Sequence, residues 1–327
     1  HVMKTSLFKL AAIVVSSALI APVASAQTAP YPSRPITIVV GFPPGGISDV
    51  LARVLAHRLG EQTGQSVIVD NRPGAATTIA SFYVAHARPD GYTLYFQDMT
   101  SHAIAAAAYQ KLKFDPWGDF SMVSLVASTP LMLVSSTASK AKDMKTLIAQ
   151  AKAAPQPLPY ASSGNGTITH LAGESLKQLA GVNALHVPYK GGAGQVQAII
   201  GGEVSFGFAS MPPAIAQMKG GSIYGLAVTS GKRVATAPDV PTLKELGVPL
   251  EVVLYSGLLG PKGMPPAIVE RLGAEVRKAI ASPEMQRTLL EAGAEPKTST
   301  PAEFAALMKS EAAAMAKAVQ MSGVVLD

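Results

Sequence analysis

The sequence predicts an α/β fold built on a mainly parallel sheet. Three observations carry that reading. Short β-branched runs such as Ile36-Thr37-Ile38-Val39-Val40 are apolar without alternation, the mark of strands covered on both faces. Strand-like runs are followed by a Gly- or Pro-rich turn and then by apolar residues at helical spacing. The same grammar restarts at Leu131, and 327 residues leave room for two units of about 150.

In chain order, Phe42-Pro43-Pro44-Gly45-Gly46 breaks the first strand, and Val50, Leu51, Val54, Leu55 and Leu59 then share one helical stripe. Ser66-Val67-Ile68-Val69 is a second strand, ended by Asn71-Arg72-Pro73-Gly74. A second helix carries Ile79, Phe82 and Val84 and stops near Pro89-Asp90-Gly91. Tyr92-Thr93-Leu94-Tyr95-Phe96 is a third strand. Leu131-Met132-Leu133-Val134 is the next, followed by a helix over residues 144–153. Pro159-Tyr160-Ala161 leads into Ser162-Ser163-Gly164-Asn165-Gly166-Thr167 and a helix with Leu171, Leu176 and Leu179. His186-Val187-Pro188-Tyr189 precedes Lys190-Gly191-Gly192-Ala193-Gly194 and a helix with Val196, Ile199 and Ile200. Residues 204–208 and 224–228 are further strands. Thr300-Pro301-Ala302-Glu303 is a capping box with Pro at the first helical position. It opens a helix whose Phe304, Leu307, Met308, Met315 and Val319 form an apolar face.

Composition removes several function classes. Hydrophobic residues make up 48% and charged residues 15%, too apolar for a disordered chain. With no cysteine there is no thiolate metal site, Fe–S cluster or cysteine nucleophile. Aromatic content of 6%, with Trp117 alone of its type, argues against a base-stacking platform. His1-Val2 before Met3 reads as a vector scar. Lys4 and Lys9, an apolar run over residues 10–20 interrupted by Ser16 and Ser17, and Ala24-Ser25-Ala26 read as a secretory signal peptide cleaved before Gln27. The apolar run is shorter than a membrane span, so an exported, periplasmic product without stable membrane insertion is expected. Removing this leader leaves 25 bases against 21 acids, dispersed along the chain, which does not favour nucleic acid.

Three glycine-rich turns link a strand to a helix: Gly45-Gly46, Gly164-Asn165-Gly166 and Gly191 to Gly194. Such a turn lets backbone approach a ligand, and the first amides of the helix that follows have no intrahelical partner. With the helix dipole they form an anion site that needs no cation. Ser48, Ser162, Ser163, Asn165, Thr167 and Tyr189 supply short polar groups beside them. Asp49 sits in the first turn of its helix, either as a carboxylate on the positive helix end or as a group that orders the loop or accepts from a ligand amine. His170 and His102 read first as structural hydrogen-bonders. There is no G-x-S-x-G, H-E-x-x-H or G-x-G-x-x-G. Residues 225–232 miss the P-loop by one residue, with Arg233 where Ser or Thr belongs. No cofactor or metal is expected.

The chain resembles the periplasmic solute-binding proteins of tripartite tricarboxylate transporters, the Bug family. The stretches that carry the resemblance are Tyr31-Pro32-Ser33-Arg34-Pro35-Ile36, Phe42-Pro43-Pro44-Gly45-Gly46-Ile47-Ser48-Asp49, Asp70-Asn71-Arg72-Pro73-Gly74-Ala75 and Pro89-Asp90-Gly91-Tyr92-Thr93-Leu94. They continue with residues 160–167, His170-Leu171-Ala172-Gly173-Glu174, Val187-Pro188-Tyr189-Lys190-Gly191, Pro238-Asp239-Val240-Pro241-Thr242 and Gly257-Leu258-Leu259-Gly260-Pro261. The resemblance implies a two-lobed, type II-like periplasmic-binding-protein fold with the ligand in a cleft between lobes. Lobe 1 would comprise residues 27–127 and 257–327, and lobe 2 residues 128–256.

It also implies a small carboxylate ligand, a di- or tricarboxylate or an aromatic acid, delivered to membrane transporter subunits by a monomer. A periplasmic sensor for a membrane signalling partner is the alternative, and an enzyme acting in the same cleft a weaker one. Similar proteins grip the carboxylate through the loop matching Phe42 to Asp49, including Pro44, Gly45, Gly46 and Ser48. Facing it are Ser162, Ser163, Asn165, Gly166, Thr167 and His170, and Tyr189, Gly191 and Gly192. Thr100, Ser101 and His102 match another cleft loop, and Phe208 and Ser210 lie beside the ligand. Three positions depart from the family: Gly194-Gln195 where Pro-Ala is common, Phe208-Ala209-Ser210 without the frequent Asp, and Tyr255 in place of Trp. The missing Asp weakens the case for an amino-group ligand.

Overall fold

Two layers of helices sandwich one long hydrogen-bonded sheet path. The computed structural model describes residues 29–327, so the reading of residues 1–26 falls outside the described residues. The first half holds β1 (Ile36–Val40), α1 (Ile47–Thr63), β2 (Val67–Asn71), α2 (Thr78–Ala85), β3 (Thr93–Asp98), α3 (Met99–Ala108) and β4 (Phe120–Ser136). Then follow α4 (Met144–Ala153), β5 (Leu158–Ser162), α5 (Ile168–Ala180), β6 (Ala184–Pro188), α6 (Gly191–Ile200), β7 (Phe206–Ser210), α7 (Met211–Lys219) and β8 (Ile223–Val228). The chain returns through β9 (Val253–Pro261), α8 (Pro266–Ile280), α9 (Pro283–Glu291), β10 (Glu295–Pro296) and α10 (Pro301–Ser322).

The strand order is β2-β1-β3-β9-β4-β7-β5-β6, with β8 and β10 also pairing with β4. Only the flanks are parallel: β2-β1-β3 on one side and β7-β5-β6 on the other. The centre, where β9, β4, β7 and β8 meet, is antiparallel, which corrects the mainly parallel expectation. Its cause is β4. This 17-residue strand pairs with β9 from Phe120 to Pro130, and with β7 and β8 from Leu131 onward. One strand therefore runs out of the first half and through the second, while β9 runs back. The sequence showed only Leu131 to Val134 of it. Ser124, Ser128, Thr129 and Pro130 interrupt the apolar run, yet all four are buried because β4 is covered on both faces.

Alternation places successive residues in opposite layers. Ile36, Ile38 and Val40 of β1 pack with Leu51, Leu55 and Leu59 of α1 and with α8, while Val39 points the other way, to Val84, Phe304 and Met308. In the second half, Leu131, Leu133, Tyr160 and Phe206 face α4 and α5, while Met132, Val134 and Ala161 face α6 and α7. Each fully buried Leu or Ile contributes about 1.5–3 kcal/mol. The helix α2 departs from its expected stripe: Ala80, Ser81 and Val84 are buried, while Ile79 and Phe82 are exposed, and Leu179 of α5 is exposed too. The α10 capping box forms as expected, with Thr300 Oγ1 accepting from the Glu303 amide and the Glu303 carboxylate accepting from the Thr300 amide. Among the described residues, no helix is long and apolar enough to cross a membrane.

Candidate functional site

All three glycine-rich turns end at one cavity. Its wall brings together the N-terminal turns of α1 (Gly46, Ile47, Ser48), α5 (Thr167, Ile168, Thr169) and α6 (Lys190, Gly191, Gly192, Ala193). The residues preceding these helices, Gly46, Thr167 and Lys190, place no side chain on the helix amides. Three positive helix ends thus face a common space without an internal acceptor from their caps. The inner cavity holds about 80 Å³ and adjoins an outer compartment of about 560 Å³, with which it shares Phe42, Pro43, Ser163, Thr167, Lys190 and Gly191.

Of the expected residues, Phe42, Pro44, Gly46, Ser48, Ser101, Ser163, Thr167, Gly191, Gly192 and Ser210 line the inner cavity. Asn165 and Tyr189 line the outer compartment, together with Gly164. The structure does not bring Gly45, Asp49, Thr100, His102, Ser162, Gly166, His170 and Phe208 to either wall. Each has other work. Asp49 accepts from the Gly45 amide (3.0 Å), from Arg53 and from Asn71, so it orders the β1–α1 loop. Burial would raise its pKa, but the hydrogen bonds from Arg53, Asn71 and Gly45 outweigh burial and hold it below the usual carboxylate range. His102 lies among Phe114, Trp117 and Phe120 and donates through Nε2 to the Pro116 carbonyl (2.6 Å). Its segment is the first turn of α3 rather than a loop, and burial drops its pKa to about 4. Thr100 turns to the Val253 carbonyl and to Glu311, and Phe208 is core.

Ser162, His170 and His186 form a cluster behind the α5 turn. Ser162 Oγ is hydrogen-bonded to His186 Nε2 (2.6 Å), and His186 stacks on His170 with ring centroids 3.6 Å apart. The Gly166 amide donates to His170 Nδ1 (3.2 Å), which fixes the 162–167 loop from behind. This Ser–His pair superficially resembles a nucleophile and its base. Ser162 is fully buried, shares its hydroxyl with Gly164, and lies off the cavity wall. Burial, and then the neighbouring His170, lower the His186 pKa to about 4.

Sequence reasoning missed four features of the wall. Asp98, at the end of β3, is buried on the inner wall and caps α3, accepting from the amides of Thr100 and Ser101 and from Ser101 Oγ. Burial raises its pKa to about 6. The signal was available, since Asp98 followed by Thr100-Ser101 is an N-cap pattern. Gln195 reaches the same wall from α6 and had been noted only as a departure. Lys190, the exposed residue that precedes α6, lines both compartments. Finally, Ala75, Ala76 and Thr77 line the outer compartment with φ of 47°, 48° and 71°, three successive left-handed residues without a glycine. Such positions cost about 1–3 kcal/mol each. Gln97 Nε2, donating to Thr77 Oγ1 (2.8 Å), helps hold the turn.

Comparison with known proteins decides the family. The pattern described as "Tripartite tricarboxylate transporter family receptor" matches residues 51–324. The chain belongs to this receptor family. It is 33% identical to Protein BugT of Bordetella pertussis over 324 residues, 98% of this chain and 99% of that one. Among solved structures, Rpa4515 of R. palustris with adipate superimposes with a TM-score of 0.86 at 34% identity, covering 90% of this chain and 99% of that one. MatC from Rhodopseudomonas palustris, with bound malate, gives 0.82 at 29% identity, covering 88% and 100%. The two-lobed fold is therefore that of these receptors, and the cavity at which the helix ends converge belongs to a family of binding proteins.

Proposed function

We propose that this protein is a periplasmic solute-binding protein that captures a small carboxylate between its lobes and hands it to the membrane subunits of a tripartite transporter. One observation carries the reading: three helix N-termini, uncapped by side chains, converge on one cavity lined also by Lys190. Charge-assisted hydrogen bonds contribute about 1.5–3 kcal/mol each, so four supply roughly 6–12 kcal/mol before ordering costs. Micromolar capture needs about 8 kcal/mol net. The adipate and malate held by the two relatives support the same chemistry.

The lobes proposed are residues 27–127 with 257–327, and residues 128–256. The change of partner along β4 between Pro130 and Leu131, three residues past the proposed 127/128 boundary, supports a crossing within this strand. The protein acts as a monomer without catalysis. Mass spectrometry of the protein incubated with a carboxylate library tests this reading. An unchanged bound acid supports capture. Conversion of the acid to a product, or retention of no acid, overturns it.

A further inference from the structure

The inner wall carries an unpaired acceptor, Gln195 Oε1, and a buried acid, Asp98, neither of which suits a second ligand carboxylate. Gln195 is wholly buried, and its Oε1 has no hydrogen-bond partner. Its orientation is fixed, because Nε2 donates to the carbonyls of Ala161 (3.1 Å) and Phe208. A flipped amide would set Oε1 against both carbonyls. Gly207 makes room for this arrangement: a Cβ there would lie 2.6 Å from the Ala161 carbonyl and 3.2 Å from Gln195 Nε2. On the same wall, Asp98 receives only donors, from Thr100 and Ser101, and so keeps its carboxylate as an acceptor. Behind it Glu311, linked through Thr100 Oγ1, adds a second acid rather than a balancing cation.

A buried acceptor covered by a ligand that cannot donate to it loses its water and gains nothing. A carboxylate placed against Gln195 and Asp98 meets a lone pair and a negative charge. The amides that suit a carboxylate are those of the helix N-terminal turns that line the same cavity. We propose that Asp98 and Gln195 select carboxylates that also carry a hydroxyl, amino or amide donor, over those whose second polar group is another carboxylate. The proposal rests on the carboxylate reading above and narrows its substrate class. It also reverses the expectation drawn from Phe208-Ala209-Ser210: the acid missing there is supplied by β3.

Calorimetric titration with matched six-carbon and four-carbon acids tests it: 6-hydroxyhexanoate and 6-aminohexanoate against hexanoate and adipate, and 4-hydroxybutyrate against butyrate and succinate. The donor-bearing acids are expected to bind at least about tenfold tighter than the others of equal length. Asp98→Asn keeps a capping side chain but exchanges one acceptor for an amide donor. It should weaken 6-hydroxyhexanoate and strengthen adipate, narrowing the ratio at least about threefold. Gln195→Met, checked for folding by thermal melting, should weaken the hydroxy and amino acids more than hexanoate, and equal weakening of all of them counts against the assignment. Adipate binding as tightly as 6-hydroxyhexanoate overturns the assignment of the acceptors and leaves carboxylate capture standing. Failure of every acid in both series to bind overturns both.

Discussion

At the residue scale, two buried groups, His102 and Asp98, and the half-buried His186 pull the pH dependence in opposite directions. His102 and His186 both have folded pKa values of about 4, well below the ordinary 6.5. Between those values the unfolded chain takes up protons that the folded one refuses, so stability rises with pH through that window. Asp98, raised from 3.8 to about 6, does the reverse: the folded state holds a proton that the unfolded chain has released, and stability falls as pH rises across its window. The two histidines outnumber the one acid, so a net rise from about pH 4 to 6 is expected. Removing the acid with Asp98→Asn should steepen that rise by about 1.4 kcal/mol per pH unit. Urea titrations at several pH values check it, and a slope unchanged by the substitution would contradict the burial of Asp98. The capping role of Asp98 was legible as an N-cap pattern, but the burial around all three groups was not. His102 was placed beside the ligand because its neighbours match a cleft loop, but a helix turn directs Ser101 to the cavity and His102 to the Phe114–Trp117–Phe120 cluster.

At the element scale, the signals that survived are local. Strand β1, the break after it, helix α1 and the α10 capping box depend on residues within one or two turns of each other, and they form where the sequence places them. Thr300→Ala should therefore cost about 1 kcal/mol, read as a lower thermal midpoint, with ligand affinity unchanged because the box lies off the cavity wall. Elements defined by distant partners were misread. The strand β4 looked like four residues because its first part is rich in Ser, Thr and Pro, and β9 showed only as a motif. Their 17 and 9 residues become strands by pairing with each other and with β3, β7 and β8. The exposed face of α2 shows the same limit: apolar spacing states that a stripe exists, not that something covers it.

At the scale of the whole molecule, the β1–α1 loop and the α6 turn come together where Pro43 and Gly191 line both compartments. A Cβ on Gly191, which has φ +86°, would lie 2.9 Å from Pro43 Cγ. Gly191→Ala therefore strains the α6 turn and wedges it away from the β1–α1 loop. In the capture proposed above, ligand binding would favour the form that buries both ligand ends, so the substitution should shift the balance toward an open form and weaken carboxylate binding at least about tenfold. Small-angle scattering should show the unsubstituted protein contracting when its carboxylate is added and the variant contracting less. Equal radii in all four states would remove closure from the mechanism.

The amino-acid sequence by itself determined the alternation of strands and helices and the three glycine turns, and its motifs already resembled the receptor family to which the chain belongs. The elements and turns follow from short-range patterns: burial periodicity, missing side chains at turns, and unpaired amides where helices begin. Only the tertiary structure decided that the three turns share a cavity, that Asp98, Gln195 and Lys190 join them there, and that Asp49 and His170 stand behind the wall as supports. The reason is geometric. Which face of a helix or strand end looks into a cavity depends on how β4 and β9 set the two halves of the sheet, and no local run of residues encodes that angle.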